Sequence, residues 1–373
     1  MIKALHILDS LNRGGGETMM LDLCRNAKVC GLDLTFVATG GGDLEDDFRH
    51  SGAEFIRLQR RLPVDLWLAS ALRRIIEERD IQVVHSHQPV EALHLYLATR
   101  SNNTKRVITL HGVYPGARNE LALKFVLPRM DAKIVVSRNL LSQLKENQTL
   151  DSSKSLVVNN GVDPARLQLS GRNLRAELEI ADDEILFGMV GNFQPVAQKD
   201  QLTVCKALPK LFAKIPRARF VFVGGRSEAA PQLFDDCVKL CREQNIADRV
   251  HFLGKRADIP DVLSSLDVFV LSSLREGAPI SVIEAMMVGV PAVLSDIPAL
   301  REISADGKFA VLFQTGNKDD LAAKLISLAN DLAERSRLAS VAKQWALEQF
   351  GVERHIAGLV RLYKSLLATP SWR

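Results

Sequence analysis

The sequence predicts an α/β protein built from two doubly wound domains in tandem, and three observations carry that expectation. Short runs rich in Val, Ile, Leu and Phe alternate with amphipathic stretches along the chain, the pattern of parallel strands covered on both faces by helices. At 373 residues the chain is longer than one hydrophobic core usually supports. The alternation also pauses between Asn160 and Glu184, where Asn160-Gly161-Val162-Asp163-Pro164 ends one block and polar residues precede the next.

The first block has strand-like runs at Ala4 to Leu8, Leu34 to Ala38, Phe55 to Leu58, Val83 to Ser86, Val107 to Leu110, Ile134 to Val136 and Leu156 to Val158. After the first run, Gly14-Gly15-Gly16-Glu17 opens a helix through Cys24. Glycines there let the backbone approach a ligand closely, although their spacing is not that of a dinucleotide fingerprint. From Asp65 to Arg79, Leu66, Trp67, Leu68, Leu72, Ile75 and Ile76 oppose Arg73, Arg74, Glu77 and Glu78, as in a helix lying on a sheet. With Arg57, Arg60 and Arg61 just before it, this edge is either a solvated face or a basic membrane contact.

His85-Ser86-His87 closes the fourth run and His111-Gly112 the fifth. Open α/β sheets bind ligands at the carboxyl ends of their strands, so these rings are placed to meet one. His85 and His87 share a strand face and could suit a metal; with no third ligand evident nearby, a structural role is favoured.

The second block repeats the pattern at Ile185 to Val190, Phe220 to Val223, Val250 to Leu253, Val268 to Leu271, Ala292 to Leu294 and Val311 to Phe313. Asp319 to Phe350 and Val352 to Leu367 read as terminal helices.

Composition narrows the classes. Apolar content of 47% and a mean hydropathy of +0.02 describe a globular protein, and no stretch approaches the roughly 20 apolar residues of a membrane span. The N-terminus enters a strand pattern rather than a signal peptide, so the expected compartment is the cytoplasm. A net charge of +4 without a basic run argues against nucleic acid. Five cysteines and no CxxC argue against a disulfide framework or structural zinc; Cys237 and Cys241, one helical turn apart, read as core.

The chemistry gathers around Glu276 to Pro291. Val268 to Leu271 reads as a buried strand, Pro279 suits a first helical position, and Gly289 followed by Pro291 reads as a stop. Between Ile280 and Val288 only Ser281 and Glu284 are polar, so the helix is expected to be buried nearly all round. A carboxylate there needs donors. Side chains lean toward a helix N-terminus, so Glu284 could reach a ligand's hydroxyls at the strand end; alternatively it pairs with a neighbouring Arg. The same loop offers backbone N–H groups and the positive helix pole to a phosphate. Together these features suggest a sugar nucleotide.

The stretch Glu276-Gly277-Ala278-Pro279-Ile280, followed by Glu284-Ala285-Met286 and then Gly289-Val290-Pro291, resembles the two-glutamate signature of the retaining glycosyltransferases of family 4. The resemblance implies a GT-B fold with two Rossmann-like domains facing across a cleft. Residues 1–165 would form the acceptor side and 166–350 the donor side, with 351–373 a helix crossing back onto the first domain. It places Glu276 and His111 against the donor sugar and Glu284 on the ribose, with Gly277, Ala278, Pro279 and Ile280 at the phosphates. Asn160-Gly161-Val162-Asp163 matches the family's NGVD segment, and Gly16 takes the Ala position of its GGAE loop, which faces the donor phosphate and the acceptor. Of the Arg and Lys that family members often carry after Gly191, both on the diphosphate, only Lys199 is present; Asn192 and Gln194 offer neutral donors instead. Gly224-Gly225 and Phe252-Leu253-Gly254-Lys255-Arg256 also match, the latter where backbone meets the base and Arg256 adds charge near the phosphates.

The expected activity is therefore transfer of a hexose, with retention, from a nucleotide diphosphate sugar to a glycan or lipid-linked acceptor, UDP being favoured over GDP. No other cofactor is expected, and peripheral membrane contact is possible through the first domain. The chain has no Asp-x-Asp of the kind that holds a metal–diphosphate complex, so no metal is expected. Two rivals fit the same residues: a sugar-nucleotide epimerase, and a non-catalytic sugar-nucleotide binding subunit.

Overall fold

The computed structural model describes residues 1–112, 116–146, 150, 154–194, 198–228 and 231–368. They form two compact units: Met1–Asp163 together with Phe350–Arg373, and Pro164–Gln349.

The first unit holds β1 (Ile2–Leu8), β2 (Leu32–Ala38), β3 (Glu54–Arg57), β4 (Val83–Ser86), β5 (Lys105–Leu110), β6 (Ala132–Val135) and β7 (Ser155–Val157). Every pairing is parallel, in the order β3-β2-β1-β4-β5-β6-β7. β1 is a central strand and is buried on both faces, which is why its residues are nearly all apolar. The chain reverses its direction of winding between β1 and β4, and in such sheets ligands bind beyond the strand ends at this point.

The helix Leu66–Glu78 is capped by Asp65, whose Oδ1 accepts from the Trp67 and Leu68 amides. It lays Leu68, Leu72, Ile75 and Ile76 on Leu5, Ile7, Val37 and Val84. Each such burial contributes about 1.5–3 kcal/mol. Leu66 and Trp67 depart from the expected buried face: they are 68% and 81% exposed, because at about 100° per residue they fall on the outward face with Ser70, Arg74 and Glu77 rather than on that of Leu68, Leu72 and Ile75.

The second unit holds β8 (Ile185–Val190), β9 (Ala218–Val223), β10 (Val250–Phe252), β11 (Val268–Leu271), β12 (Ala292–Ser295) and β13 (Val311–Phe313). They too are all parallel, in the order β10-β9-β8-β11-β12-β13, with the reversal between β8 and β11. The helix Ile280–Val288 starts one residue after Pro279, its N-cap, and ends at Gly289 with φ 91 in the left-handed region that glycine adopts freely. Cys237 and Cys241 lie in the core with Cys205.

The helical stretch expected from Asp319 to Phe350 is two helices, Lys318–Asn330 and Leu332–Phe350. Asp331 separates them, and its carboxylate accepts from the Glu334 amide as a new N-terminal cap. The final helix, Val352–Ala368, belongs to the first unit. The Val162 amide donates to the Phe350 carbonyl and the Val352 amide to the Val162 carbonyl, at 2.8 and 2.9 Å, tying its start to the NGVD segment. A Cβ on Gly161 would fall 2.5 Å from the His355 Cβ, so only glycine lets the two segments approach this closely.

Candidate functional site

In the second unit the reversal point assembles one group of the expected residues. Gly191 follows β8, and Ser272 through Glu276 follow β11, the neighbouring strand. The segment around Lys199 returns across the strand end and pairs antiparallel with Ser273. The Asp200 amide donates to the Ser272 carbonyl at 2.9 Å and the Leu274 amide to the Gln198 carbonyl at 2.7 Å. This clamp sets Lys199 Nζ 2.8 Å from Glu276 Oε1, with side chains 22% and 10% exposed. Ser273 Oγ lies 2.8 Å from the same carboxylate oxygen and 2.6 Å from the Gln198 carbonyl.

Gly191 has a steric reason to be glycine. A Cβ there would fall 2.4 Å from both Cδ and Cε of Lys199, so the lysine stem lies directly on its backbone. Asn192 Oδ1 accepts from the Gly225 amide at 2.7 Å, which orients the side chain. Pro195, Val196 and Ala197 of this loop lie outside the described residues. Gly277 and Ala278 link Glu276 to the helix start, where Pro279 provides no side-chain cap and Ile280 is the first helical residue.

Glu284 is 6% exposed and finds its donor in Arg166, whose Nη2 lies 2.8 Å from its Oε1. Of the two donors that its burial allowed, the protein itself thus supplies an Arg, from the short turn Pro164–Leu167 just after the NGVD segment. Sequence reasoning missed Arg166 as a partner; the signal was an unexplained buried carboxylate, but periodicity does not report which distant cation meets it.

Arg256 is held by two carboxylates. Its Nη1 and Nη2 hold Glu177 at 2.6 and 2.9 Å, and its Nε and Nη2 hold Asp258 at 2.9 and 2.7 Å. Hydrogen bonds from the guanidinium to the two carboxylates raise its pKa further. Lys255, passed over beside it, lays its stem against Gly225, where a Cβ would fall 2.9 Å from Lys255 Cε.

In the first unit, Gly14 caps the helix Gly15–Asn26. A Cβ on Gly16 would meet nothing within 4 Å, so the fold leaves room there for the alanine of the related motif. His111, just beyond β5, lies with Nε2 3.0 Å from His87 Nδ1. Burial lowers its pKa to about 4, so the ring is neutral near pH 7. The expectation that His85 and His87 lack a third neighbour is also corrected: His6 of β1 stands in register with His85, and nitrogens of His6, His85 and His87 lie within 4.8 Å of one another. His6 was legible only as a polar residue inside an otherwise apolar buried strand.

Among the described residues, no helix is long and apolar enough to cross a membrane.

Comparisons with known proteins agree with this architecture. The family model for glycosyl transferases group 1 matches residues 171–345, and that for glycosyltransferase family 4 matches residues 13–166. The chain is 25% identical over 315 residues to N-acetyl-alpha-D-glucosaminyl L-malate synthase of Bacillus anthracis, covering 82% of this chain and 80% of that one. It is 26% identical over 285 residues to UDP-Gal:alpha-D-GlcNAc-diphosphoundecaprenol alpha-1,3-galactosyltransferase of Escherichia coli, covering 71% and 72%. The crystal structure of Anabaena Alr3699/HepE in complex with UDP and glucose aligns with a TM-score of 0.84 at 20% identity, over 98% of this chain and 100% of that one, a likeness of fold.

Proposed function

Because the chain belongs to the group 1, family 4 glycosyltransferases and has their GT-B architecture, we propose that it is a retaining, metal-independent hexosyltransferase. It would move a sugar from a UDP-sugar to a hydroxyl of a glycan or lipid-linked acceptor. The observation that carries this reading is the Lys199–Glu276 pair at the end of β8 and β11. A cation and a carboxylate held together beside a helix N-terminus can separate onto the two parts of a sugar nucleotide. Lys199 and the backbone N–H groups near Pro279 take the diphosphate, while Glu276 takes the sugar hydroxyls. The donor bond is already activated, so stabilising the departing diphosphate and an oxocarbenium-like sugar supplies the rate. Glu284 holds the ribose while still paired with Arg166.

The preference for UDP is supported by the UDP-galactose-dependent relative and by the neighbour solved with UDP and glucose. The lipid-linked acceptor is supported by that relative's diphosphoundecaprenol substrate. No further cofactor is required. Thermal shift against UDP, GDP, ADP and their sugars tests donor choice, since a ligand at about 100 times its Kd stabilises by about 2.7 kcal/mol. Radiolabelled transfer in the presence of EDTA tests the rest. Activity abolished by EDTA and restored by Mn²⁺ defeats the metal-free reading, and a changed donor sugar without any acceptor establishes an epimerase instead.

Peripheral contact with the cytoplasmic face of a membrane is part of the same proposal. Its support is the run Leu62, Val64, Leu66 and Trp67, all more than half exposed, next to exposed Arg61. Flotation with anionic vesicles tests it, and a Leu66→Ser/Trp67→Ser protein that floats as well as the parent removes it.

A further inference from the structure

The buried rings of the first unit are joined into one hydrogen-bonded line. Thr109 Oγ1 lies 2.7 Å from His85 Nε2, and His85 Nδ1 lies 2.6 Å from the Tyr363 hydroxyl. That hydroxyl lies 2.9 Å from His6 Nε2; His6 Nδ1 lies 3.1 Å from His87 Nε2; and His87 Nδ1 lies 3.0 Å from His111 Nε2. Thr109, His85, Tyr363, His6 and His87 are each at most 3% exposed. Neighbouring rings are in contact, with centroids 4.5 Å apart for His6 and His85 and 4.6 Å for His85 and His87.

A neutral imidazole has one donor and one acceptor nitrogen, and a phenol has one proton. The line therefore has only two self-consistent polarities. Thr109 chooses between them. If its hydroxyl accepted from His85, its own proton would be buried with no acceptor among the described residues, which is unfavourable. If it donates, then His85 Nδ1–H donates to Tyr363, Tyr363 to His6 Nε2, His6 Nδ1–H to His87 Nε2, and His87 Nδ1–H to His111 Nε2.

We propose that Tyr363, His6, His85 and His87 are positioning residues that hold His111 neutral, with Nε2 an acceptor and its proton on Nδ1. The proposal rests on the reading of His111 as a contact to the donor sugar. Protonating any ring would turn an acceptor nitrogen toward an existing donor and break the line. Burial lowers the pKa of each of the four histidines, in agreement with an uncharged chain. A neutral N–H donor suits a sugar that develops positive charge in the transition state, where an imidazolium would repel it. His6, His85 and His87 are also close enough to share a metal. However, their facing nitrogens are already paired at hydrogen-bond distance, and none of the partners named here is a carboxylate to offset a divalent charge.

The test uses the full-length protein labelled with ¹⁵N-histidine, with the His111 signals assigned through His111→Gln. Multiple-bond ¹H–¹⁵N spectra are expected to show His111 with an unprotonated Nε2 and a protonated Nδ1 from pH 7.5 down to 6. An Nε2–H tautomer, an imidazolium at pH 6, or one zinc per chain by elemental analysis overturns the proposal. Tyr363→Phe is expected to mix the His111 tautomers and lower kcat about tenfold with UDP affinity unchanged, the loss of one ordering hydrogen bond. An unaltered tautomer and kcat in that variant overturns it. If Tyr363→Phe fails to fold, the wild-type spectrum still decides. His111→Gln separates the two levels. Full transfer by that variant defeats the reading of His111 while the wild-type spectrum still reports on the chain; lost transfer by the variant together with an Nε2–H tautomer in the wild-type protein defeats the chain alone.

Discussion

Lys199 Nζ and Glu276 Oε1 stand 2.8 Å apart, so the cation expected for the diphosphate and the carboxylate expected for the sugar neutralise each other. The contact holds both side chains in place, and a donor that binds must exchange this one contact for two of its own.

Lys199→Ala is expected to weaken UDP binding by about 1.5–3 kcal/mol, the worth of a charged hydrogen bond. Gly191→Ala should reproduce much of that loss, about tenfold in affinity, because the new Cβ occupies the position of the lysine stem 2.4 Å away. The stem can swing aside, so the melting temperature should hardly move. Calorimetric titration with UDP checks both, and unchanged affinity in both variants removes Lys199 from the site.

The two glutamates should fail differently. Glu276→Gln frees Lys199 from its counter-ion, so UDP should bind at least as tightly while kcat falls about a hundredfold, since the sugar's charge develops only in the transition state. Glu284→Gln should raise KM for the donor and leave kcat nearly intact, because ribose contacts do not change during transfer. Steady-state kinetics beside UDP titration decide this; a Glu276→Gln enzyme with normal kcat would end the assignment.

Arg166 should matter more for stability than for chemistry. Its removal takes from Glu284, 6% exposed, a hydrogen bond between charged groups, a change that typically costs about 1.5–3 kcal/mol. Denaturant unfolding of Arg166→Ala measures it, and a loss below about 1 kcal/mol would mean that water or another donor already satisfies Glu284.

Acid should unfold the first unit. Burial lowers the pKa of His6 to about 3 and of His111 to about 4, and lowers those of His85, His87 and His355 as well. Each binds a proton on unfolding below the ordinary value of about 6.5, so its contribution is complete above that pH and is lost as pH falls toward the folded value. Glu17 and Glu91 act oppositely, since burial raises both to about 7. Folded, they are protonated between their ordinary range and pH 7, so the stability they add is present in acid and lost as pH rises through 7. The buried histidines, which include His94, outnumber the two glutamates, so unfolding takes up protons between about pH 5 and 6. Denaturant midpoints across that window should rise with pH, and a flat profile would contradict the buried, neutral state of these rings.

The strands were legible because a parallel strand covered on both faces must be an apolar run, and β4, β8, β11 and β13 begin and end where such runs do. The carboxylates at 276 and 284 were legible because loop and helix carry them within one short segment, and the burial of Glu284 followed from its apolar neighbours alone. Hydrophobicity suggested a covered position for Leu66 and Trp67, but the angular position of each around the helix, shared with exposed Ser70 and Arg74, leaves both on the outward face. Tertiary structure alone decided the partners. Arg166 reaches Glu284 across 118 positions, His6 reaches His87 across 81, and Tyr363 reaches His6 across 357. Local pattern states that a buried polar group needs a partner. Which partner it finds depends on the order in which strands pair at the reversal point and on where the last helix docks, and those are set by the whole core.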